Sequence, residues 1–398
     1  MKNFEFLGFN TGIEKMKVSE IHEKCIESFQ SFMIERGYSC QKPLPLIPED
    51  CDDSVLFTGS TISAFKPEIK NNDIPNGGMF VVQPCIRTQD FKTRFNDDFL
   101  PFGQTYFEMI GSILPCGKYD KMCSDVISFL VNNLNVREER ILIIPTKEDD
   151  SLISPFFNNL DLSKIRTTKD ESKKYKWKYG IQGIHGDGIS INIMNPGTNS
   201  YWDVANIVSI RDELNNEIAV EFGAGIEFLT AASLGVDNPL KMSKIADIEN
   251  INGGIHQKFC AYYEAVLQLM GANIFIGDKK TGHIYKQYLK SISYLSNKIN
   301  YTLGDLEDLA QKYIKEQNLK IKDDTIKEAM SFIRNHRTRI NNFYILLNRI
   351  HICMNGRGKE KFTEPRKTIK DYLKNNGIRK EEIAEYVLLN YEDMIDLL

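Results

Sequence analysis

Apolar residues near the start of the chain recur with the spacing of an α-helix between Ser19 and Arg36. Ser19 offers a hydroxyl where a helix needs an N-cap, and Gly37 allows the chain to leave the helix. The face that the spacing predicts to be buried carries Ile21, Cys25, Phe29, Phe32 and Met33. The pattern predicts one amphipathic helix packed against a core.

From Asp53 to Gly225 the pattern changes to short runs of β-branched and aromatic residues, which are typical of strands. In the run GISINIM, isoleucines alternate with small or polar residues, so one face should be buried. One helix is predicted within this stretch, around residues 119–134. The predicted strands are residues 79–88, 105–111, 140–146, 188–194 and 216–223. Strands that follow strands favour an antiparallel α+β sheet with flanking helices.

After about residue 240, apolar positions repeat at helical spacing. The predicted helices are residues 256–271, 282–299, 305–317 and 324–354. We therefore predict an α+β domain over residues 1–240 and an all-α domain over residues 241–398. A division of 398 residues into two or three domains agrees with the usual domain size of about 150 residues.

Composition and charge exclude some classes of protein. Apolar residues make up 42% of the chain, but none of their runs reaches 18 residues, so we predict no membrane span and a cytoplasmic protein. The eight cysteines form no C-x-x-C pair, which argues against a zinc site or a redox motif built from cysteines. The net charge of −4 gives no overall reason to expect nucleic-acid binding.

Charge is nevertheless uneven in the helical half. Residues 334–370 contain ten basic and two acidic side chains, which gives this stretch a formal charge of +8. Such a stretch is either a solvated face or a surface for a phosphate backbone. On the second interpretation, the candidate RNA-binding residues are Arg334, Arg337 and Arg339.

The sequence EFGAGIEFLTAA holds a candidate ligand site at a predicted strand-to-helix turn. Gly223 and Gly225 would let a ligand approach the backbone, and the start of the helix would offer free N–H groups to an anion. Glu221 places a carboxylate next to this turn. The combination suggests a ligand that carries both a cationic group and phosphate.

Three other segments could complete the same site. Arg87 ends a predicted strand, where its guanidinium could bind phosphate or carboxylate. Phe107 lies in the next strand and could present its ring to a planar base. Trp177 precedes three glycines at a spacing of three residues, and this spacing suggests backbone close to another group. Each of these features alone is more often structural than functional.

Taken together, the segments resemble the catalytic domain of alanyl-tRNA synthetases, a family of class II aminoacyl-tRNA synthetases. The resemblance extends over residues 20–235 and, more loosely, through the helical half. The segments that carry it, in order along the chain, are IHEKCIESFQSFMIERGY, LFTGSTISAFKPE, QPCIRTQD, TYFEMIG, NIVS, FGAGIEFL and GHIYKQYLKSI. The resemblance implies a class II antiparallel sheet followed by a helical tRNA-recognition domain.

The resemblance also implies a set of roles around ATP. Arg87 matches the motif 2 arginine that holds the α-phosphate of ATP and the amino-acid carboxylate. Phe107 matches the phenylalanine that stacks on adenine, and Gly223 and Gly225 match the motif 3 glycines beside ATP. Asp203 stands where the family has a glutamate that serves Mg²⁺.

The amino-acid side of the site follows from the same resemblance. Trp177 matches a tryptophan that lines the amino-acid pocket, and Asn206 matches the asparagine of the NIVF segment. Glu221 stands where the family uses an aspartate to bind the substrate ammonium group. The implied reaction is activation of an amino acid by ATP, with Mg²⁺ as cofactor, and transfer to tRNA.

The sequence departs from the family at several positions. Phe228 replaces the last arginine of motif 3, Glu221 is one methylene longer than the aspartate it replaces, and Lys280 replaces an asparagine that reads the acceptor stem. The resemblance does not extend to the family's editing and C-terminal domains, so we expect the chain to lack both. These differences leave open which amino acid is used and whether the usual tRNA is recognised.

Three hypotheses remain from the sequence alone. The first is a diverged aminoacyl-tRNA synthetase with alanine as the leading substrate and tRNA or a tRNA-like molecule as acceptor. The second is an adenylate-forming enzyme that passes the acyl group to a carrier protein or a small amine. The third is a non-catalytic paralogue that binds RNA or a ligand. The sequence does not determine the oligomeric state.

Overall fold

The computed structural model describes residues 16–48, 55–88, 91–145, 152–158, 166–167, 177–356 and 363–398. The chain forms two compact units and passes between them more than once. The first unit comprises the chain up to Arg87 together with Phe102–Ile251, and the second comprises Thr88–Pro101 together with Asn252–Leu398. The second unit thus takes in a short segment from the first half of the chain, which no sequence pattern predicted.

Among the described residues of the first unit, helices pack on a mostly antiparallel sheet of nine strands. The strands are β1 (Ser39–Cys40), β2 (Met79–Ile86), β3 (Tyr106–Pro115), β4 (Ile141–Pro145), β5 (Arg166–Thr167), β6 (Trp177–Lys178), β7 (His185–Asn195), β8 (Ser200–Arg211) and β9 (Glu217–Gly225). The helices are α1 (Val18–Glu35), α2 (Ile62–Asn71), α3 (Tyr119–Ser128), α4 (Ser154–Asn158) and α5 (Ile226–Leu234). Five π-helical residues, Phe129–Asn133, continue α3.

The sheet has the strand order β1-β2-β3-β9-β8-β7-β4-β5, and β6 pairs with β7. The pairs β1–β2 and β4–β5, which involve strands of two residues, are parallel, and the other described pairs are antiparallel. The prediction of an antiparallel α+β sheet with flanking helices is confirmed. Each strand was predicted within a few residues of its observed bounds except β1, β5, β6 and β8.

Along β7, isoleucines alternate with small or polar residues, so the two faces of the sheet carry different side chains. Ile189, Ile191 and Ile193 share one face, as the sequence predicted, and are fully buried in a core that also contains residues of α1, α3 and α5. Burying each of these side chains contributes about 1.5–3 kcal/mol. The residues between them, among them Ser190 and Asn192, face the other side of the sheet. That second face is the one that can carry polar chemistry.

A β-bulge in β8 changes which residues share this second face. Ile191 lies opposite Ala205, but the next residue, Asn192, lies opposite Asp203, so Val204 has no partner in the register. Residues three apart in a regular strand lie on opposite faces. Because the bulge inserts one extra residue, Asp203 and Asn206 lie on the same face.

The start of α1 differs from the prediction. The helix begins at Val18, so Ser19 lies inside its first turn, and the prediction that Ser19 is the N-cap is wrong. The carboxylate of Asp247 instead accepts hydrogen bonds from the backbone N–H groups of Val18 and Ser19. A distant residue therefore satisfies the helix terminus, and its negative charge complements the helix dipole.

Helix α2 was also not predicted, since only one helix was expected among the strands. Its sequence includes Pro67, which cannot donate a backbone hydrogen bond and disfavours a helix interior. The buried side chains Phe65 and Ile69 pack against Val81 and Ile113 of the sheet. Tertiary burial therefore outweighs the weak local propensity.

The second unit is helical. Its helices are α6 (Gly253–Gly271), α7 (Lys280–Lys298), α8 (Leu303–Glu316), α9 (Asp323–Met354), α10 (Pro365–Asn376) and α11 (Ala384–Asn390). The prediction of an all-α region is confirmed, and the four predicted helices match α6 to α9 within three residues at each end. No helix among the described residues is both long and apolar enough to cross a membrane.

Lys258 explains why residues 88–101 belong to the helical unit. This lysine lies on α6 and is almost fully buried, and its ammonium group donates to the carbonyl oxygens of Thr93, Asn96 and Phe99 at 2.9, 2.8 and 3.1 Å. A buried ammonium needs such acceptors because it has lost its hydration. These hydrogen bonds therefore hold the segment that contains Thr93, Asn96 and Phe99 against α6.

Candidate functional site

Four neighbouring strands, β2, β3, β9 and β8, bring most of the candidate residues to one face of the sheet. Opposite residues in an antiparallel pair share a face, and so do residues two apart along one strand. The registers that matter are Cys85 opposite Phe107, Met109 opposite Gly225, Gly111 opposite Gly223, Ile113 opposite Glu221 and Gly223 opposite Asn206. Phe107, Glu221 and Asn206 therefore line the same face as the two glycines.

Arg87 lies just beyond the end of β2 and contacts Phe107 directly. Its guanidinium carbon is 5.0 Å from the centroid of the Phe107 ring, a distance typical of a cation–π contact. Its Nε donates to the carbonyl oxygen of Gly59 at 2.9 Å, and one terminal nitrogen lies 3.6 Å from the sulfur of Met109. The arginine is held by its inner nitrogen while its side chain remains exposed to solvent.

The predicted strand-to-helix turn is present, because β9 ends at Gly225 and α5 begins at Ile226. A Cβ atom built on Gly225 would lie 3.8 Å from Cδ2 of Phe107, and one built on Gly223 would lie 3.4 Å from the Cε of Met109. Both are ordinary contact distances, so the protein's own packing does not require glycine at either position. Gly225 therefore places backbone without a side chain next to the Phe107 ring.

Glu221 lies two residues before Gly223 and is almost completely buried. Burial raises the pKa of its carboxyl from the ordinary value of a glutamate to about 7, and an interaction with the hydroxyl of Tyr179 opposes part of this rise. A Cβ atom built on Gly223 would lie 4.0 Å from Oε1 of Glu221. A buried acid of this kind gains its charge most easily when a cationic group binds next to it.

Asp203 and Asn206 reach the same face through the bulge in β8. Both side chains are half-buried, and Asn206 lies opposite Gly223 on one side and Ser190 on the other. Carboxylate and amide oxygens are the protein ligands that suit Mg²⁺. The donor chemistry and the shared face therefore fit the Mg²⁺ role that the resemblance implies for Asp203.

Trp177 lies in β6 opposite Gly186 of β7, on the same face as Asn206 of β8 but two strands away from it. The glycines that follow it prove to be structural. Gly180 and Gly183 adopt positive φ values of 68° and 77°, which non-glycine residues rarely adopt. A Cβ atom on Gly186 would lie 2.5 Å from Cγ1 of Val208 and 2.9 Å from the hydroxyl of Tyr179, so the groups close to this backbone are the protein's own side chains.

Phe228, which stands where the family has an arginine, belongs to an aromatic cluster. Its ring centroid is 5.0 Å from that of Phe102 and 5.5 Å from that of Trp202. The centroids of Phe102 and Trp202 are also 5.0 Å apart. The site therefore has an apolar group at a place where the family has a cation.

Sequence reasoning missed Thr61 and Tyr179. A Cβ atom on Gly111 would lie 2.5 Å from the hydroxyl oxygen of Thr61, so this threonine covers the glycine pair formed by Gly111 and Gly223. Thr61 is fully buried, and its hydroxyl has no hydrogen-bond partner among the described residues. Thr61 lies within the segment LFTGSTISAFKPE, but no residue pattern could show that this segment lies over the sheet.

The candidate RNA-binding residues lie in the second unit and differ in their surroundings. Lys280 is the first residue of α7, and it and the α9 residues Arg334 and Arg339 are exposed. Arg337 is instead half-buried and donates to Ser296 Oγ at 2.7 Å and to the carbonyl oxygen of Tyr301 at 2.9 Å. Arg337 therefore supports the packing of this unit.

Comparisons with known proteins identify relatives of part of this chain. The family described as tRNA synthetases class II (A) matches residues 24–219. Alanine–tRNA ligase of Staphylococcus epidermidis is 25% identical over 271 residues, which cover 61% of this chain and 30% of that protein. Alanine–tRNA ligase of Ruthia magnifica is 26% identical over 180 residues, covering 44% of this chain and 20% of that protein. The chain spans less than a third of the length of these relatives.

Among solved structures, class II synthetases match this chain only at low similarity. Histidyl-tRNA synthetase of S. aureus matches with a TM-score of 0.37 and 9% identity, covering 57% of this chain and 75% of that chain. The match over residues 24–219 agrees with the family motifs in the sequence and with the antiparallel sheet of the first unit. Residues 24–219 of this chain therefore belong to the class II tRNA synthetase family of the alanyl type.

Proposed function

We propose that this chain activates an amino acid with ATP and transfers the aminoacyl group to tRNA or a tRNA-like acceptor. Alanine is the first candidate, because alanine–tRNA ligases are among its relatives. The observation that supports the proposal most is the shared face on which Arg87, Phe107, Gly225 and Glu221 follow one another. A cation, an aromatic ring, an open glycine turn and a buried acid are the groups that an aminoacyl adenylate would need.

On this proposal, Phe107 and Gly225 bind the nucleotide and Arg87 binds the reacting groups. A carboxylate oxygen of the amino acid attacks the α-phosphorus of ATP, and the bond from that phosphorus to the bridging oxygen of pyrophosphate breaks. The guanidinium of Arg87 would neutralise charge on the α-phosphate and hold the attacking carboxylate. Most of the rate gain would come from alignment of the two substrates.

Glu221, Asn206 and Trp177 would form the amino-acid side of the site. The carboxylate of Glu221 would accept hydrogen bonds from the substrate ammonium group, and such charge-assisted bonds are strong in a buried setting. Asn206 lies opposite Gly223, next to this position. Mg²⁺, when bound, would neutralise phosphate charge, and Asp203 is the residue that would hold it.

The second unit would bind the acceptor. Its exposed basic residues Lys280, Arg334 and Arg339 could contact the phosphate backbone of an RNA helix. Contacts of this kind position RNA without reading its sequence. The proposal therefore gives these residues a role in the affinity for RNA and none in the selection of a particular tRNA.

Exchange of labelled pyrophosphate into ATP, measured with each of the twenty amino acids, tests the activation step. We expect one amino acid or a small set to support exchange, and we expect the Glu221→Asp variant to change the preference among them. Absence of exchange with all twenty would refute activation of a standard amino acid. Unchanged preference in a folded Glu221→Asp protein would show that Glu221 does not touch the substrate.

A second experiment identifies the acceptor. The amino acid that supports exchange is supplied with ATP and either total tRNA, a carrier protein or small amines, and the acylated product is collected. We expect acid-precipitable label on tRNA. Exchange without any label on tRNA, together with label on a carrier protein or an amine, would support the alternative acceptors instead.

A further inference from the structure

A second group of polar side chains lies in the first unit, on the opposite face of the sheet from the candidate site. Glu108 of β3 follows Phe107, so its side chain points to the face on which α1 and α5 pack. His22 belongs to α1, and Glu227 belongs to the first turn of α5. One nitrogen of His22 and one oxygen of each glutamate lie within 4.8 Å of one another.

We propose that His22, Glu108 and Glu227 form a binding site for a divalent transition-metal ion of the zinc class. Three atoms at the corners of a triangle with 4.8 Å sides lie about 2.8 Å from its centre. Zinc binds imidazole nitrogen and carboxylate oxygen at about 2.1 Å, so each donor would move by at most about 0.7 Å. A water molecule would complete four-coordination.

The strongest support comes from His22. The side chain is almost fully buried, and neither ring nitrogen has a hydrogen-bond partner among the described residues. Buried polar groups without a partner are rare in native proteins and call for an unseen water or ion. A metal ion at the centre of the three side chains would give one of these nitrogens a partner.

The two carboxylates suit the same role. Glu227 is buried, and its oxygens accept a hydrogen bond from the backbone N–H of Glu108 at 3.0 and 3.3 Å, which fixes its orientation. Metal-binding carboxylates are commonly oriented by such bonds. A donor set of one imidazole and two carboxylates favours zinc, cobalt or manganese over soft ions that require thiolates.

Lys244 gives the proposal a distinctive consequence. Its ammonium nitrogen lies 2.7 Å from an oxygen of Glu108, and both side chains are largely buried. This ammonium would compete with the metal for Glu108. Removing it should therefore strengthen metal binding, whereas removing a ligand should weaken it.

The site would join three elements beneath the candidate active site. Glu108 follows Phe107 directly, and Glu227 lies two residues after Gly225. A bound ion would hold the strand that carries the aromatic ring against the helix that starts at the glycine turn. The inference does not depend on the proposed reaction, because its test measures bound metal rather than aminoacyl transfer.

The test is a titration of the full chain, freed of metal by a chelator, with Co²⁺ and then with Zn²⁺. We expect one Co²⁺ per chain, visible absorption bands of a site with nitrogen and oxygen ligands, and displacement by Zn²⁺ but not by excess Mg²⁺. We expect His22→Gln and Glu227→Gln to weaken binding at least 10-fold. We expect Lys244→Met to strengthen binding several-fold.

Control variants separate this site from two other side chains that could bind Co²⁺. His351→Gln removes a histidine of α9, and Cys40→Ser removes an exposed thiol; both should bind Co²⁺ as the unaltered chain does. Absence of a stoichiometric metal, or equal affinity in His22→Gln, would overturn the proposal. A near-ultraviolet thiolate band that disappears in Cys40→Ser would do so as well. If His22→Gln does not fold, weaker or unchanged binding in Lys244→Met still contradicts the proposal.

Discussion

The guanidinium carbon of Arg87 lies 5.0 Å from the centroid of the Phe107 ring, at the edge where β2 and β3 meet the glycine turn of β9. The cation therefore covers the ring on which the proposed nucleotide would stack. Two groups that came from separate segments of the sequence are in direct contact. A nucleotide base that stacks on the Phe107 ring must therefore either leave the Arg87 contact in place or displace the Arg87 side chain.

This contact leads to a prediction for Arg87. Arg87→Ala should lower pyrophosphate exchange by about 10²-fold or more, because one preorganised charge on the reacting phosphate is lost. Arg87→Lys should restore little of the activity, since an ammonium group cannot bind two oxygens side by side. Thermal unfolding should change only slightly, because the side chain is exposed. A variant that folds and exchanges at the normal rate would remove Arg87 from the mechanism.

The glycines allow a matched pair of substitutions. Gly225→Ala should leave the fold intact, because its Cβ would meet Phe107 only at 3.8 Å, but it should raise the KM for ATP. Gly111→Ala should instead destabilise the protein by about 1–3 kcal/mol, since its Cβ would lie 2.5 Å from Thr61. Denaturant unfolding and steady-state kinetics on both variants test this contrast. Equal stability loss in the two would show that Gly225 is only structural.

The raised pKa of Glu221 predicts how substrate binding depends on pH. With a pKa of about 7, the carboxyl is mostly neutral at pH 6 and mostly charged at pH 8. The affinity for an amino acid should therefore rise between pH 6 and pH 8 and then level off, because the ammonium group stays charged. Calorimetric titration at several pH values measures this. Glu221→Gln should bind weakly at every pH, and a pH dependence that persists in this variant would contradict the assignment.

The same shift predicts a change in stability. A glutamate that holds its proton up to about pH 7 when folded, but only to its ordinary pKa of about 4.5 when unfolded, adds stability that is fully present below pH 4.5. This stability is lost as the pH rises through 7. The free energy of unfolding of the original chain should therefore fall, relative to that of Glu221→Gln, by on the order of 3 kcal/mol across this interval. Urea unfolding at pH 4.5, 6 and 8 would show it.

Arg334 and Arg337 should behave in opposite ways although they are three residues apart. Arg337→Ala should lower the Tm, because two hydrogen bonds to Ser296 and Tyr301 are lost. Arg334→Ala should leave the Tm unchanged and reduce RNA affinity, with a smaller dependence of binding on salt. Filter binding at several salt concentrations, with melting curves beside it, tests both. An Arg334→Ala protein with unchanged RNA affinity would remove this face from the proposed interface.

Sequence patterns predicted those helices and strands whose burial on one side repeats at a regular spacing along the chain. The alternating isoleucines of β7 and the four longer helices α6 to α9 were predicted because burial on one side imposes a period on the sequence. The cap supplied by Asp247, the bulge in β8 and the helix around Pro67 were not predicted. Each of these depends on a partner far away in the chain, which a single sequence does not reveal.

For the candidate site, the sequence could select residues but could not show which of them lie together. The resemblance to the synthetase family selected Phe107, Glu221 and Gly223, and the strand register brings them to one face. Tyr179 and Thr61 were missed, because their contacts with Glu221 and the glycine pair arise only when the sheet is assembled. Conversely, the glycines after Trp177 suggested a ligand but serve the fold.

The buried ammonium of Lys258 has a consequence for how this chain can be divided. Residues 88–101 leave the first unit and return to it, so one cut in the polypeptide cannot release the helical unit whole. A fragment that starts at residue 252 would retain the cation without the three carbonyl oxygens that solvate it. Recombination at one junction near residue 252 would separate the ammonium group from these carbonyl oxygens in the same way. We therefore expect the two units to be inherited together rather than exchanged singly between proteins.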